Sequence, residues 1–261
     1  MSPAIGGRAP AGVRLPDRIA VADLATLVWR ARKVDPDGAA RLRAHGDVLA
    51  VFVCPIRVPG APLVLGLRTM HLAAPSEVDV TVPLAALADA CARVAGPGPA
   101  GAEPVAGGGP GEPVEVTLPT AQVTAVWAGV SPPREGWAEV GRVEVGALLE
   151  AARAGAAEIA AGTPADAGAA AVARLRSLVW GRPLPGVSHP GGDGPPGGGD
   201  LPGTGAPATD VPAGMAFAAD VLGFARDGDP PAPVHRAGRW SRLSTPRGYL
   251  LARTPTLRPG S

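Results

Sequence analysis

The apolar positions change period several times along the chain, and each change predicts an element. Leu24, Leu27, Val28 and Ala31 recur at i, i+3, i+4 and i+7, the stripe of an amphipathic helix. RLRAHGDVLAVFVC (41–54) reads as two strands around a Gly46-Asp47 turn, LVLGLRTMHL (63–72) as a third strand and VDVTV (78–82) as a fourth. Pro83, at a first helical position, opens the helix PLAALADACARV, and Gly96 ends it. VEVTLP (114–119) and QVTAVWAGV (122–130) are strand-like, and the proline turn SPPREGW (131–137) follows. VGRVEVGALLEAARAGAAEIAAG (140–162) is a short strand running into a long Ala-rich helix. Thr163 is expected to cap a further helix, with Pro164 first and Leu175, Leu178 and Val179 as its stripe. PAGMAFAADVLGF (212–224) carries Met215, Ala218, Ala219 and Leu222 at helical spacing. In the last segment, 233–253, turns at Ala237-Gly238 and Pro246-Arg247-Gly248 separate three short strands.

The fold class that follows is α+β: antiparallel strands with helices packed on them, in one or two subdomains. SEVDVTVPLAALADACARV and VGRVEVGALLEAARAG are both a strand followed by an Ala/Leu helix. Two readings stay open. The echo is either a duplication giving two similar strand-plus-helix subdomains, of which sliding-clamp domains are one arrangement, or the cheap resemblance between Ala-rich helices.

Composition changes this picture at two places. Residues 96–113 and 186–208 are dominated by Gly, Pro and Ala. Ordering such chain loses much entropy, and neither stretch has apolar mass to offset it. The expected organisation is a disordered N-terminus (1–16), an N-terminal α+β subdomain (17–95), a Gly/Pro linker (96–113) and a C-terminal α+β subdomain (114–185 and 209–254). A disordered insertion (186–208) interrupts the last. Both Gly-rich stretches contain a literal G-x-G-x-x-G, at Gly96, Gly98, Gly101 and at Gly192, Gly194, Gly197. No strand leads into either, no helix follows, and Pro fills x positions, so no dinucleotide is implied.

Other chemistries fall away for stated reasons. His45, His71, His189 and His235 are far apart and none neighbours a cysteine, so no metal knuckle is formed locally. Lys33, the only lysine, follows no Gly-rich turn, which excludes a P-loop. Around Ser131 a proline stands where a nucleophile elbow needs its second glycine. Cys54 and Cys91 lie in apolar runs, the setting of buried reduced thiols. Glu77 with Asp79, and Glu135 with Glu139, look like ordinary surface charge. No catalytic residue, cofactor or metal is expected. No apolar run reaches the ~18 residues that span a bilayer, and MSPAIGGRAPAG has no apolar signal core, so the expectation is a soluble cytoplasmic protein with no membrane partner.

Two segments carry more signal. Trp127, Pro132, Pro133 and Trp137 could form a groove for an extended peptide, or Trp127 belongs to a core strand and Trp137 simply covers the loop. Residues 232–261 hold six arginines and no acid, so at a total charge of +1 the rest of the chain is −5. Arg236, Arg239, Arg242 and Arg247 around Trp240 could touch phosphates and stack bases. The same asymmetry also arises if these arginines pair with the acids elsewhere in the chain.

VWAGVSPPREGW, RLRSLVWGRPL and HRAGRWSRLSTPRGYLLAR resemble a group of actinobacterial conserved proteins of unknown function. The resemblance implies a bacterial housekeeping context and supplies no catalytic residue or ligand. The function expected is a non-catalytic interaction protein with a protein partner. The alternative is a nucleic-acid or phosphate binder using the C-terminal strands. An enzyme stands third, because no constellation names a reaction.

Overall fold

The computed structural model describes residues 11–95, 111–164, 167–188 and 211–253. In chain order its first elements are β1 (Gly12–Leu15), α1 (Arg18–Val34), β2 (Ala39–His45), β3 (Val48–Val53), β4 (Leu63–His71), β5 (Val78–Pro83), α2 (Leu84–Ala95) and β6 (Val114–Thr117). A single 3-10 turn covers Val126–Gly129. Then come β7 (Ala138–Val143), α3 (Val145–Ala161), α4 (Ala169–Gly181), β8 (Val187–Ser188), α5 (Gly214–Val221), β9 (Ala232–Ala237), β10 (Trp240–Thr245) and β11 (Gly248–Arg253). Mixed helices and antiparallel strands make this an α+β protein, as the apolar periods predict.

The chain divides into two units. The first is Met1–Val53 with Thr69–Ala128, and the second is Cys54–Arg68 with Gly129–Ser261. In the first, Asp17 accepts a hydrogen bond from the Ala20 N–H at 2.8 Å and caps α1, while Arg32 and Lys33 favour the negative end of its dipole. Val21, Leu24, Leu27, Val28 and Ala31 bury the stripe of that helix, which packs on α2. β2 and β3 form a hairpin whose turn residue Gly46 has φ +60°, a conformation glycine adopts without a Cβ penalty. β5 pairs with the other edge of β2, and β1 with β6, all antiparallel.

In the second unit the hydrogen-bonded order is β4, β11, β10, β9, β7, β8, every neighbouring pair antiparallel. One face carries Val234, Leu243, Leu250 and Ala252, all buried, and α5 lies beside β11. Gly248 marks how closely they approach. A Cβ there would meet the Phe224 ring at 2.7 Å and the Leu67 carbonyl oxygen at 2.8 Å. α3 packs on α5 and α4, and the Trp180 ring stacks on Phe217 with centroids 4.7 Å apart.

Two expectations fail. Residues 122–130 are not a strand. Their one ladder-like bond to β5 is Val123 N–H to the Thr81 carbonyl. The chain then curls through an Ala128 N–H to Ala125 carbonyl bond, and Arg41 Nη1 donates to the Ala128 carbonyl, so the group that would continue a ladder is already taken. Nor does Thr163 cap the following helix. Its hydroxyl turns back to the Ile159 carbonyl at 2.6 Å, extending the bonding of α3, and α4 starts at Ala169 with Gly168 before it. α4 buries Val179 and Trp180, while Leu178, expected on its stripe, is 57% exposed.

Of the low-complexity stretches, residues 111–113 and 186–188 are described, and Val187–Ser188 form β8 against β7. The G-x-G-x-x-G glycines, His189, Arg258 and residues 1–10 lie outside the described residues.

Candidate interaction site

The site is built on the face of the second unit's sheet opposite Leu243 and Leu250. Strand alternation puts Arg242 there, away from Leu243 and on the same face as the buried Trp240 and Leu251. The register sets Arg242 opposite His235 of β9 and Leu251 of β11. Tyr249, two residues before Leu251, shares that face. The Arg242 guanidinium carbon lies 4.7 Å from the centre of the Trp137 ring and 5.6 Å from that of Tyr249. Both distances are in cation–π range. Trp137 is itself fixed, since its Nε1–H donates to the Pro133 carbonyl at 3.1 Å within the proline turn.

On the β7 side, Glu139 pairs with His235 in register, and its carboxylate accepts from Arg142 Nε at 2.8 Å. Burial holds the His235 imidazole below its ordinary pKa, and repulsion from Arg242 adds to this. Glu139 pulls the other way, Arg142 lowers it further, and hydrogen bonding to the Pro233 carbonyl raises it. Arg242 is also held below its ordinary value, by burial first, against a small opposing effect of Tyr249. Arg242 Nε and His235 Nδ1 are buried side-chain atoms without a hydrogen-bond partner among the described residues. Most buried polar atoms find one, so two adjacent exceptions call for a reason.

The structure thus brings together parts of both candidate segments. Trp137, with Pro133 behind it, meets Arg242. Pro132 is half-buried beside Pro133, which is exposed. Trp127 belongs to the first unit, where it is buried. Arg247 is not in the cluster. Its Nη1 and Nη2 reach the two Asp229 oxygens at 2.6 and 2.8 Å, and its carbonyl accepts from Arg68 Nη1. Trp240, at 6% exposed, is too buried to stack a base. Arg239 is exposed in the turn before β10, and Arg236 sits half-buried on the opposite side of β9 from His235. His235 and Glu139 are the members the sequence reading left unconnected. The turn lies at 238–239 and not at the expected Ala237-Gly238, and this one-residue shift pairs 237 with 240 and 235 with 242.

Other reactive groups are placed apart. The Cys91 thiol is pushed up to about 12 by burial, against a small opposing effect of Arg93, so it carries no thiolate at neutral pH. Cys54 is buried, and its Sγ donates to the Ile56 carbonyl. Among the described residues no three His, Cys, Asp or Glu side chains gather to hold a metal ion. Nor, among them, is any helix long and apolar enough to cross a membrane.

Comparison with known proteins gives the following. Residues 132–257 match the family model described as Domain of unknown function (DUF8185), and residues 9–108 that described as Domain of unknown function (DUF8010). No curated protein matches the chain. Among solved structures, Caulobacter crescentus pol III beta superposes with a TM-score of 0.48 at 11% identity, covering 93% of this chain and 65% of that one. A DNA polymerase sliding clamp from Pseudomonas aeruginosa with ligand gives 0.43 at 12% identity, covering 96% and 66%. The chain therefore spans just under two thirds of the length of each of these two clamp chains.

Proposed function

We propose that this protein is a non-catalytic interaction protein, and that the face of its second unit around Arg242 and Trp137 meets a protein partner. The observation that carries this reading is the Arg242 arrangement. A guanidinium held beside two aromatic rings, with a buried Nε lacking a partner, is a preorganised donor for a planar anionic group. Arg and Trp side chains in such settings are the residues that dominate interface energetics. The cytoplasm is the proposed location, because two cysteines in a chain of 261 residues are no disulfide framework.

A second reading, binding of nucleic acid or phosphate, is favoured by the six arginines without an acid in residues 232–261. It loses weight where Arg247 is paired with Asp229 and Trp240 is buried. Without them Arg242 is the member of that cluster that still faces the aromatic rings.

The test is a benzophenone amino acid at exposed Glu135, beside Trp137, with exposed Ala156 on α3 as the control position. Irradiation in native lysate should give a discrete nuclease-resistant adduct from position 135 and none from position 156. A nuclease-sensitive adduct would transfer support to the second reading. The same adducts from both positions, or none from either, would refute the assignment of this face.

A further inference from the structure

We infer that Arg242 and His235 together form a receptor for a single carboxylate, of the kind an aspartate, a glutamate or a chain terminus of a partner supplies. This rests on the interaction-protein reading and names the chemistry the partner brings.

The argument starts from register. Arg242 and His235 are direct cross-strand partners on one face, so their side chains are neighbours. Each presents a buried nitrogen without a hydrogen-bond partner among the described residues. Arginine stays protonated in proteins, so its Nε–H is a permanent donor. Burial and the Arg242 charge keep the imidazole neutral near pH 7, and a neutral ring can carry its proton on Nδ1 as a second donor. The guanidinium and, in its Nδ1–H tautomer, the imidazole are two donors on one face, complementary to a ligand with two acceptor oxygens. The aromatic contacts restrict the tilt of the guanidinium, which fixes how a planar carboxylate must approach.

Charge decides between one carboxylate and a polyanion. Around His235 the charged groups are Arg242 on β10 and Glu139 and Arg142 on β7, while Pro233 on its own strand offers only a carbonyl. Glu139 already holds Arg142, and Asp229 already holds Arg247. The cluster therefore has one excess positive charge, and the Glu139 carboxylate within it repels a phosphate chain. A bound carboxylate would favour the imidazolium over the imidazole. By linkage, it should bind more tightly as pH falls through the His235 titration.

The experiment uses the full chain, with the His235 ring followed by NMR and assigned with His235→Gln. Sodium acetate replaces sodium chloride at constant ionic strength, with inorganic phosphate as a parallel arm. Acetate should move the ring signals saturably and shift the His235 midpoint upward. In Arg242→Met and Arg242→Lys the acetate affinity should fall about tenfold or more, because neither keeps the Nε–H edge. Arg153→Ala, on α3, should leave it unchanged. If Arg242→Met fails to fold, the lysine variant, which keeps the charge, decides. An acetate-independent midpoint, or the same shift in the Arg242 variants, overturns the inference. Tighter saturation by phosphate than by acetate overturns the carboxylate assignment. An acetate site without a position-135 adduct would sink the interface and leave the receptor. The adduct without the acetate shift would do the reverse.

Discussion

Replacing Arg242 by methionine separates a binding role from a structural one, because the two predict opposite changes in stability. The substitution removes contacts with Trp137 at 4.7 Å and Tyr249 at 5.6 Å. At a half-exposed site each contributes about 0.5–1 kcal/mol, so the loss is about 1–2 kcal/mol. It also removes a buried Nε–H without a partner, whose desolvation costs about 1–3 kcal/mol. Methionine keeps most of the aliphatic stem and adds sulfur–aromatic contact of about 0.3–1.5 kcal/mol. At the middle of these ranges the gains exceed the loss by about 1 kcal/mol. Unfolding in urea, followed by tryptophan fluorescence, should therefore show a variant as stable as the parent or more stable, by up to about 2 kcal/mol. Acetate binding and the position-135 adduct should be lost in the same protein. Arg242→Ala discards the stem as well and should be about 1–2 kcal/mol less stable than the methionine variant. A methionine variant destabilised by more than about 2 kcal/mol would refute the reasoning. Arg242 would then be a fastener of the sheet, already satisfied in the folded protein.

Four further outcomes are expected. Gly248→Ala places a Cβ against the Leu67 carbonyl and the Phe224 ring at φ +155°, and should lower stability by about 1–3 kcal/mol, read as a fall in Tm. Asp229→Ala leaves the partly buried Arg247 guanidinium without its carboxylate and should cost about 1–3 kcal/mol without altering acetate binding, which an acetate titration checks. His235 resists protonation in the folded state, so the unfolded chain binds more protons once pH falls below the ordinary histidine range. Stability should be flat above that range and decline as pH drops through it towards the folded midpoint, and His235→Gln should remove that component of the urea-unfolding profile. Cys91, raised to about 12, should react with a thiol reagent only as fast as the fold opens, so the rate should climb with sub-denaturing urea.

How much of this was legible in the sequence depends on the range of the interaction. The C-terminal strands and the places where they turn were open to reading, but their register was not. A turn at Ala237-Gly238 would set 236 opposite 239, whereas the chain turns at 238–239 and 246–247 and sets Trp240 opposite Ala237 and Thr245 opposite Gly248. The α1 stripe was legible for a local reason, as a period repeated over about two turns. Contacts without a period were not. Nothing local says that Trp137, 105 residues before Arg242, lies beside it, or that Asp229 takes Arg247. The errors at 122–130 and at Thr163 have one cause. A strand-like run was denied its ladder by an Arg41 bond from distant chain, and a capping hydroxyl had a nearer carbonyl at Ile159. In the first case a competing donor and in the second a competing acceptor, both invisible to propensity, decided the local structure.

The same competition changes what the basic C-terminus means. Counted along the chain, six arginines without an acid look like an electrostatic surface. Placed on the strands, they divide by what each one faces. Arg247 faces Asp229 at 2.6 Å and closes the turn before β11. Arg236 lies on the opposite side of β9 from His235, so it cannot act with Arg242 on one surface. Arg242 faces two rings and a histidine. A polyanion gains affinity from several simultaneous cation contacts, each releasing a counterion, and loses it steeply with salt. A strand face on which Arg242 is joined by Arg253, opposite Trp240, gains little in that way. Its discrimination comes instead from geometry, through a fixed plane, a buried donor edge and a neighbouring imidazole. The salt dependence of partner binding is accordingly expected to be shallow, and its dependence on pH, through His235, steeper than its dependence on salt.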